Sequence, residues 1–306
     1  MNAPASQDSK HRSAQRGLVF GLGAYGLWGV LPIYFKAIDS VAAIDIVAHR
    51  ILWSLPFLAL LLVVAGGFDE VRRTLRNRKT IRLLALTALL IGVNWLLYVH
   101  AVTSGHILAA SLGYYLNPLA NVLLGRFVLK ERLSRLQWGA VALAGAGIAA
   151  LAAGALGQLW ISLTLCVTFA TYGLLRKIAP VESVAGLAVE TALLFPLAIG
   201  WLAWGMATGR PNLGDTDTQS ALLVLAGVVS TTPLLLFTAA ARRLRYSTLG
   251  MLQFLAPTLQ FVLAVWLYGE AFTRAHAIAF GAIWTALILY VLALAHQARA
   301  SVTLPE

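Results

Sequence analysis

Three ionisable side chains sit deep inside long apolar runs: His49 and Arg50 in AIDIVAHRILWSLPF, and Glu190 in SVAGLAVETALLF. A charge at such a depth costs a few kcal/mol in a bilayer, so it points either to a functional cavity or to a buried partner. Arg50 lies about six residues, roughly 9 Å at a rise of 1.5 Å per residue, from the nearer end of its run. Its planar fork suits a carboxylate or another anion held by two parallel hydrogen bonds, and a structural ion pair is the competing reading. Glu190 has the chemistry of a proton carrier, and equally of a buried partner for Arg50. His49 has the side-chain type suited to proton exchange, although a hydrogen-bonded structural role is the commoner one for a buried histidine.

Neutral polar groups accompany them. Asn94, Tyr98, Tyr114, Tyr115, Asn117, Asn121, Gln253 and Gln260 all interrupt apolar sequence. On a helix, Asn94 and Tyr98 share a face, as do Asn117 and Asn121, and Tyr114 and Asn117. Facing lipid they would lack partners, so they are expected to line a polar, aromatic-walled cavity, with Trp28, Trp95 and Phe254 as further candidate walls. Cross-helix hydrogen bonding is the alternative for each one singly. Pro118 and Pro257 each remove a backbone donor from a helix and bend it, and both are expected to act as mid-helix hinges.

The elements that must carry these residues follow from composition. The chain has 306 residues, of which 59% are apolar and only 11% charged, and its mean hydropathy is +0.79. Soluble domains carry about 25% charged residues, so this composition excludes a water-covered enzyme, a disordered chain and a disulfide scaffold. The lone Cys166 forms no intrachain disulfide and reads as a small buried apolar residue. A spanning helix needs about 20 mostly apolar residues. Ten stretches qualify: 17–36, 44–65, 81–102, 107–128, 135–153, 157–175, 183–204, 219–241, 247–268 and 275–296. The first is too long for a signal-peptide core and no small-x-small cleavage site follows it, so it reads as an uncleaved helix.

The net charge of +11 is explained by position. With the N-terminus in the cytoplasm, nineteen basic residues fall on inside segments, among them Arg72, Arg73, Arg76, Arg78, Lys79 and Arg82. Three, Lys36, Arg210 and Arg274, fall outside. This is a strong positive-inside signal and sets both termini in the cytoplasm. The basic residues face an anionic leaflet rather than nucleic acid, which would need them clustered on one soluble module.

The chain also repeats itself. LNPLANVLLGRFVLKERLSR at 116–135 matches LAPTLQFVLAVWLYGEAFTR at 255–274, aligning Pro118 with Pro257, Asn121 with Gln260 and Glu131 with Glu270. A weaker match pairs Lys36 with Lys177, and His49-Arg50 with Glu190-Thr191. Each half holds five spans, an odd number, so the halves are expected to be inverted in the membrane. Inverted repeats around a midplane site typify secondary transporters. The expected fold is therefore all-α and integral to the membrane, with ten transmembrane helices as two inverted five-helix repeats. The divisions are a cytoplasmic tail at 1–16, repeats at 17–154 and 155–297, and a second tail at 298–306. The small faces of 139–147 and around Gly281 suit close packing outside the cavity, against the bundle or a second protomer of a homodimer. Glu131 and Glu270 read as end clamps, pairing with Arg132 or Arg135 and with Arg274.

Several motifs together resemble a known family. AHRILWS (48–54), SLGYYLNPL (111–119), GRFVLKERL (125–133), TTPLLLF (231–237) and LQFLAPTLQF (252–261) are similar to the RarD family, in the EamA group of the drug/metabolite transporter superfamily. The resemblance covers about 17–296. It implies ten helices in two inverted halves, a bacterial inner-membrane location and export of small molecules. The family's name comes from a link to chloramphenicol sensitivity, and amino-acid exporters of the YddG type are similar in architecture. The chain departs from the family at Ala109, where many relatives carry an acidic residue, so any role of that acid is vacant here.

Three function classes are weighed. A secondary exporter of small metabolites, amino acids, related compounds or drugs fits best. A membrane enzyme acting on a lipid-linked substrate would want clustered carboxylates or histidines at an interface. Instead Asp39, Asp45, Asp69 and Glu70 are scattered, and His100 and His106 lack metal-ligand spacing. A passive channel would want a charge ring or a filter sequence. No phosphate-binding loop is present, so neither a nucleotide nor another cofactor is expected. The expected partners are a small-molecule substrate and membrane lipids.

Overall fold

The computed structural model describes residues 4–103, 107–152, 159–210, 213–214, 216–267 and 274–300, with no strand among them. The helices are α1 (Pro4–Lys36), α2 (Ala43–Ala65), α3 (Phe68–Arg76), α4 (Arg78–Thr103), α5 (Ile107–Phe127) and α6 (Arg135–Ala152). The second set is α7 (Leu159–Ile178), α8 (Ser183–Ala207), α9 (Asp217–Arg243), α10 (Tyr246–Leu252), α11 (Leu255–Trp266) and α12 (Arg274–Ala300). By length and hydropathy, seven of the described helices can cross a membrane: α1, α2, α4, α7, α8, α9 and α12. Large apolar side chains cover their outer faces, including Val64, Leu197, Met206 and Ile278. Such a surface would aggregate in water and suits lipid.

Local chemistry sets the helix ends. Gly66 closes α2 in the left-handed region at φ 64°, its N–H returning to the carbonyls of Leu62 and Val63. Asn77 separates α3 from α4, and its Oδ1 accepts from the N–H groups of Lys79 and Thr80 at 3.0 and 3.2 Å. The Thr216 hydroxyl caps α9 by accepting from the Gln219 N–H.

α1 runs unbroken from Pro4 to Lys36, so residues 4–16 are helical and continue into the first apolar run. The 66–80 connection holds a helix, α3, with Asp69 and Glu70 in its first turn and Arg73 and Arg76 in its last, each favourable to the helix dipole. Pro257 does not lie mid-helix. The stretch 247–268 is broken at Gln253–Phe254, and Pro257 occupies the first turn of α11. Having no N–H, Pro257 cannot bond the carbonyl of Gln253 four residues back, and its ring crowds that carbonyl. The Gln253 carbonyl accepts instead from the Ala256 N–H at 3.3 Å. Pro118 differs, since α5 runs continuously through it.

The helices pack in an orderly pattern. α2 lies against α8, α6 against α12 and α5 against α10. α1 on α9 is matched by α7 on α4, α5 on α7 by α11 on α1, and α2 on α9 by α8 on α4. α5 and α10 are antiparallel: Glu131, beyond the end of α5, meets Tyr246 at the start of α10, while Asn121 meets Gln253 past the end of α10. The α6–α12 contact uses small residues, with Gly147 against the Ala279 carbonyl and Ala282. Gly281 faces open space.

Candidate functional site

Arg50 stands on α2 with its guanidinium carbon 4.0 Å from the centre of the Trp95 ring on α4. Its polar surroundings are the phenols of Tyr114, Tyr34 and Tyr98. Its Nε is buried without a hydrogen-bond partner. Among the described residues no carboxylate forms an ion pair with it. The guanidinium borders a cavity of about 20 Å³, room for one water-sized centre. α2 supplies Ile51 and Ser54 to this cavity, α4 Trp95, α8 Thr191 and Leu194, and α9 Ser230 and Thr231. Two helices of each set therefore meet there. The packing is close because Gly227 of α9 lies on the backbone of Trp53 and Ser54: a Cβ there would fall 2.3 Å from the Trp53 carbonyl carbon. The Thr231 hydroxyl donates to Ser54 Oγ at 2.6 Å across the same seam.

Asn94 and Tyr98 flank Trp95. The Asn94 amide donates to the Leu165 carbonyl and to Thr168 Oγ1, both at 2.9 Å, and the Tyr114 hydroxyl approaches its Oδ1 at 3.5 Å. The Tyr98 and Tyr114 rings are 5.5 Å apart. This is one cluster: a cation on an aromatic face, walled by phenols.

Glu190 belongs elsewhere, which corrects its pairing with Arg50. It lies 3.6 Å from Arg176 Nε, with both side chains at most 1% exposed. Thr87 of α4 donates to its Oε1, and the Tyr172 hydroxyl to Oε2 at 3.4 Å. By position Arg176 is one of the nineteen basic residues on inside segments. Instead its side chain turns inward over Gly186, whose absent Cβ would sit 2.1 Å from Nη1. His49 turns from Arg50 towards its own helix and accepts from Trp53 Nε1 at 3.3 Å.

A third cluster lies between α5 and α10. Asn121 donates to Gln253 Oε1 at 2.9 Å. Asn117 is fully buried with neither amide atom partnered, and Asn121 Oδ1 also lacks a partner. Gly250 makes the approach possible, since a Cβ there would lie 2.8 Å from the Pro118 carbonyl and from Asn121 Cβ.

Other candidates leave the site. Gln260 is exposed and donates to the Trp28 carbonyl at 3.0 Å, because the break before α11 turns its face outward. Tyr115 packs on Phe280 and Phe254 lies in the same α5–α12 core. Trp28 joins an aromatic cluster with Tyr25, Phe169 and Phe237. Glu131 does not pair with Arg132 or Arg135: it accepts from the Tyr246 and Ser247 N–H groups at 2.6 and 3.0 Å and faces Arg245 at 3.8 Å. The uncapped start of α10 draws it across the seam. Glu270 and His106 lie outside the described residues.

α8 is tied near both ends. At one, Asp45 of α2 accepts from Trp201 Nε1 at 2.8 Å and pairs with Arg210 at 3.4 Å. Towards the other, Glu190 joins α8 to Arg176 and Tyr172 of α7 and Thr87 of α4. Sequence reasoning missed Arg176, Thr87, Tyr172, Ser54 and Thr231. Ser54 and Thr231 fall within the motifs AHRILWS and TTPLLLF, and Arg176 is a cation within three residues of the end of its helix.

Comparison with known proteins follows this geometry. Residues 15–153 match the model of the EamA-like transporter family. An uncharacterized transporter of Pseudomonas aeruginosa is 48% identical, covering 90% of this chain and 93% of its own. Protein RarD of Escherichia coli is 41% identical, covering 92% and 95%. A solved crystal structure has a similar fold, with a TM-score of 0.70 over 90% of this chain and 97% of that one, at 22% identity.

Proposed function

The chain belongs to the EamA-like transporter family, as a multi-pass membrane protein with bacterial relatives named RarD, and we propose that it exports small metabolites by alternating access. The observation that carries this reading is the unpaired Arg50 guanidinium on Trp95, at the meeting of two helices from each set. A half-buried cation whose Nε is enclosed without a partner, and which has no carboxylate beside it among the described residues, is held at a cost. An anionic group of a substrate relieves that cost, so we infer that Arg50 grips a carboxylate or a similar anion while the tyrosines and Trp95 frame its organic part. Amino acids and related compounds have this chemistry.

The helix packing supports ten spans in two inverted halves. Exchanging α1, α2, α4, α5 and α6 for α7, α8, α9, α10–α11 and α12 leaves nearly every packed pair in place. The antiparallel course of α5 and α10 supports opposite directions for the duplicated segments. In this reading the present state is occluded. Asp45–Trp201–Arg210 closes the outer end and Glu190–Arg176–Thr87 the inner end, and transport opens one at a time. The broken α10–α11 serves as the flexible element.

The test begins with metabolite release from cells with and without the protein, then measures uptake of the hits into proteoliposomes. Arg50→Gln and Arg50→Lys are each expected to lower flux at least about tenfold, equivalent to about 1.4 kcal/mol. Lysine keeps the charge but loses the fork and the stacking. Wild-type flux in both variants would place the anion site elsewhere.

A further inference from the structure

α3 has no helical counterpart in the connection between α8 and α9 among the described residues. Only Gly66 and Gly67 join it to α2, and Asn77 alone joins it to α4, so it cannot leave the membrane surface at which those helices end. One edge faces the protein: Thr74 is buried and Val71 packs on the core. The stripe beside it is exposed and carries Phe68, Arg72, Leu75 and Arg76 at i, i+4, i+7 and i+8. Arg73, Arg78, Lys79 and Arg82 extend the basic field, against Asp69 as the exposed carboxylate of the helix.

A solvated helix gains nothing from an exposed Phe and Leu set among arginines. An interfacial helix uses both, with the apolar side chains in the acyl boundary and the cations on headgroups. Beside the stripe opens a cavity of about 200 Å³ lined by Glu70, Arg73, Thr74, Asn77, Thr80 and Pro180. Glu70 is engaged, its Oε1 accepting the Glu182 N–H at 2.6 Å. We propose that α3 is a binding site for acidic phospholipid, with Phe68 and Leu75 inserted and Arg72, Arg73 and Arg76 holding the headgroup phosphate.

The site bears on the inner tie. Glu70 fastens α3 to the start of α8, and the Glu182 carboxylate takes Arg242 of α9 at 2.7 Å. α8 carries Glu190, so lipid on α3 steadies the helix that closes the inner end. The proposal rests on the membrane placement given above and not on the transport reading, and its test needs no substrate.

The melting temperature of the purified protein in neutral detergent is measured with added phosphatidylglycerol, phosphatidylcholine or inorganic phosphate. Phosphatidylglycerol is expected to raise it by a few degrees, with no shift from the other two. Arg72→Gln/Arg76→Gln should lose the rise while melting normally without lipid, and Phe68→Ser/Leu75→Ser should weaken it. Arg126→Gln/Arg135→Gln, exposed basic residues away from α3, should keep it. A rise that persists in Arg72→Gln/Arg76→Gln overturns the site, as does one lost equally in the control, no rise at all, or an equal rise from inorganic phosphate.

Discussion

At the residue scale, burial decides what each charge can do. Arg176 and Glu190 are both essentially without solvent, and each is the other's charge partner at 3.6 Å. Breaking such a pair costs roughly 3–5 kcal/mol, whereas removing both partners is far milder. Glu190→Gln should therefore lower unfolding stability in detergent by about that amount, and adding Arg176→Met should restore most of it. A Glu190→Gln protein that melts like wild type would show that the pair bears no load. Asn117 presents the reverse case. Its amide is buried with two unmet hydrogen-bonding atoms, each costing about 1–3 kcal/mol. Asn117→Val, nearer to asparagine in volume than leucine is, removes that cost, so it should raise the melting temperature. If the amide meets substrate or water in another state, flux in proteoliposomes should fall at the same time. A variant that is less stable with flux intact would contradict both halves of the argument. Arg176 was hidden from sequence for a physical reason. A long cation close to a helix end ordinarily snorkels to the headgroups, and only the notch at Gly186 and the carboxylate on α8 draw it inward.

At the element scale, hydropathy made the helical architecture legible because a lipid-exposed backbone has to satisfy its own hydrogen bonds, and helix does so within each segment. It missed α3, whose nine residues are too polar for a span and too short for a window of about 20 residues, although its acidic start and basic end were readable. It also misplaced the break in α10–α11, because a proline's effect falls four residues before it. The crossing of α2 and α9 depended on a single glycine that no periodicity singles out. Gly227 has the Trp53 and Ser54 backbone at 2.3–2.6 Å from where a Cβ would stand. Backbone cannot yield as a flexible side chain can, so Gly227→Ala must separate the two helices. Overpacking of this kind costs about 1–3 kcal/mol, and it displaces the helix that carries Arg50. Lower thermal stability and lower flux are expected together. Gly281→Ala, in a similar small-residue stretch but with open space around it, should be silent in both measurements.

At the scale of the whole molecule, the packed pairs survive exchange of the two helix sets, and a carrier draws its mechanism from that property. If the halves are copies of opposite direction, swapping their conformations turns one open end into the other without a new fold. Among the described residues the α3 helix is present in one set alone, so it marks a place where the two ends differ. The direction of the halves can be read from residues the repeat makes equivalent. The offset that aligns Lys36 with Lys177 also aligns Asp39, in the turn after α1, with Pro180, in the turn after α7, and both are exposed. Cys166 is the only native cysteine, so Cys166→Ala gives a clean background. On that background Asp39→Cys should react with a membrane-impermeant maleimide in intact cells, while Pro180→Cys should react only after permeabilisation. Inside-out vesicles should reverse the pattern. Labelling of both positions from the same side would make the halves parallel, and with parallel halves an exchange of their conformations could not alternate access across the membrane.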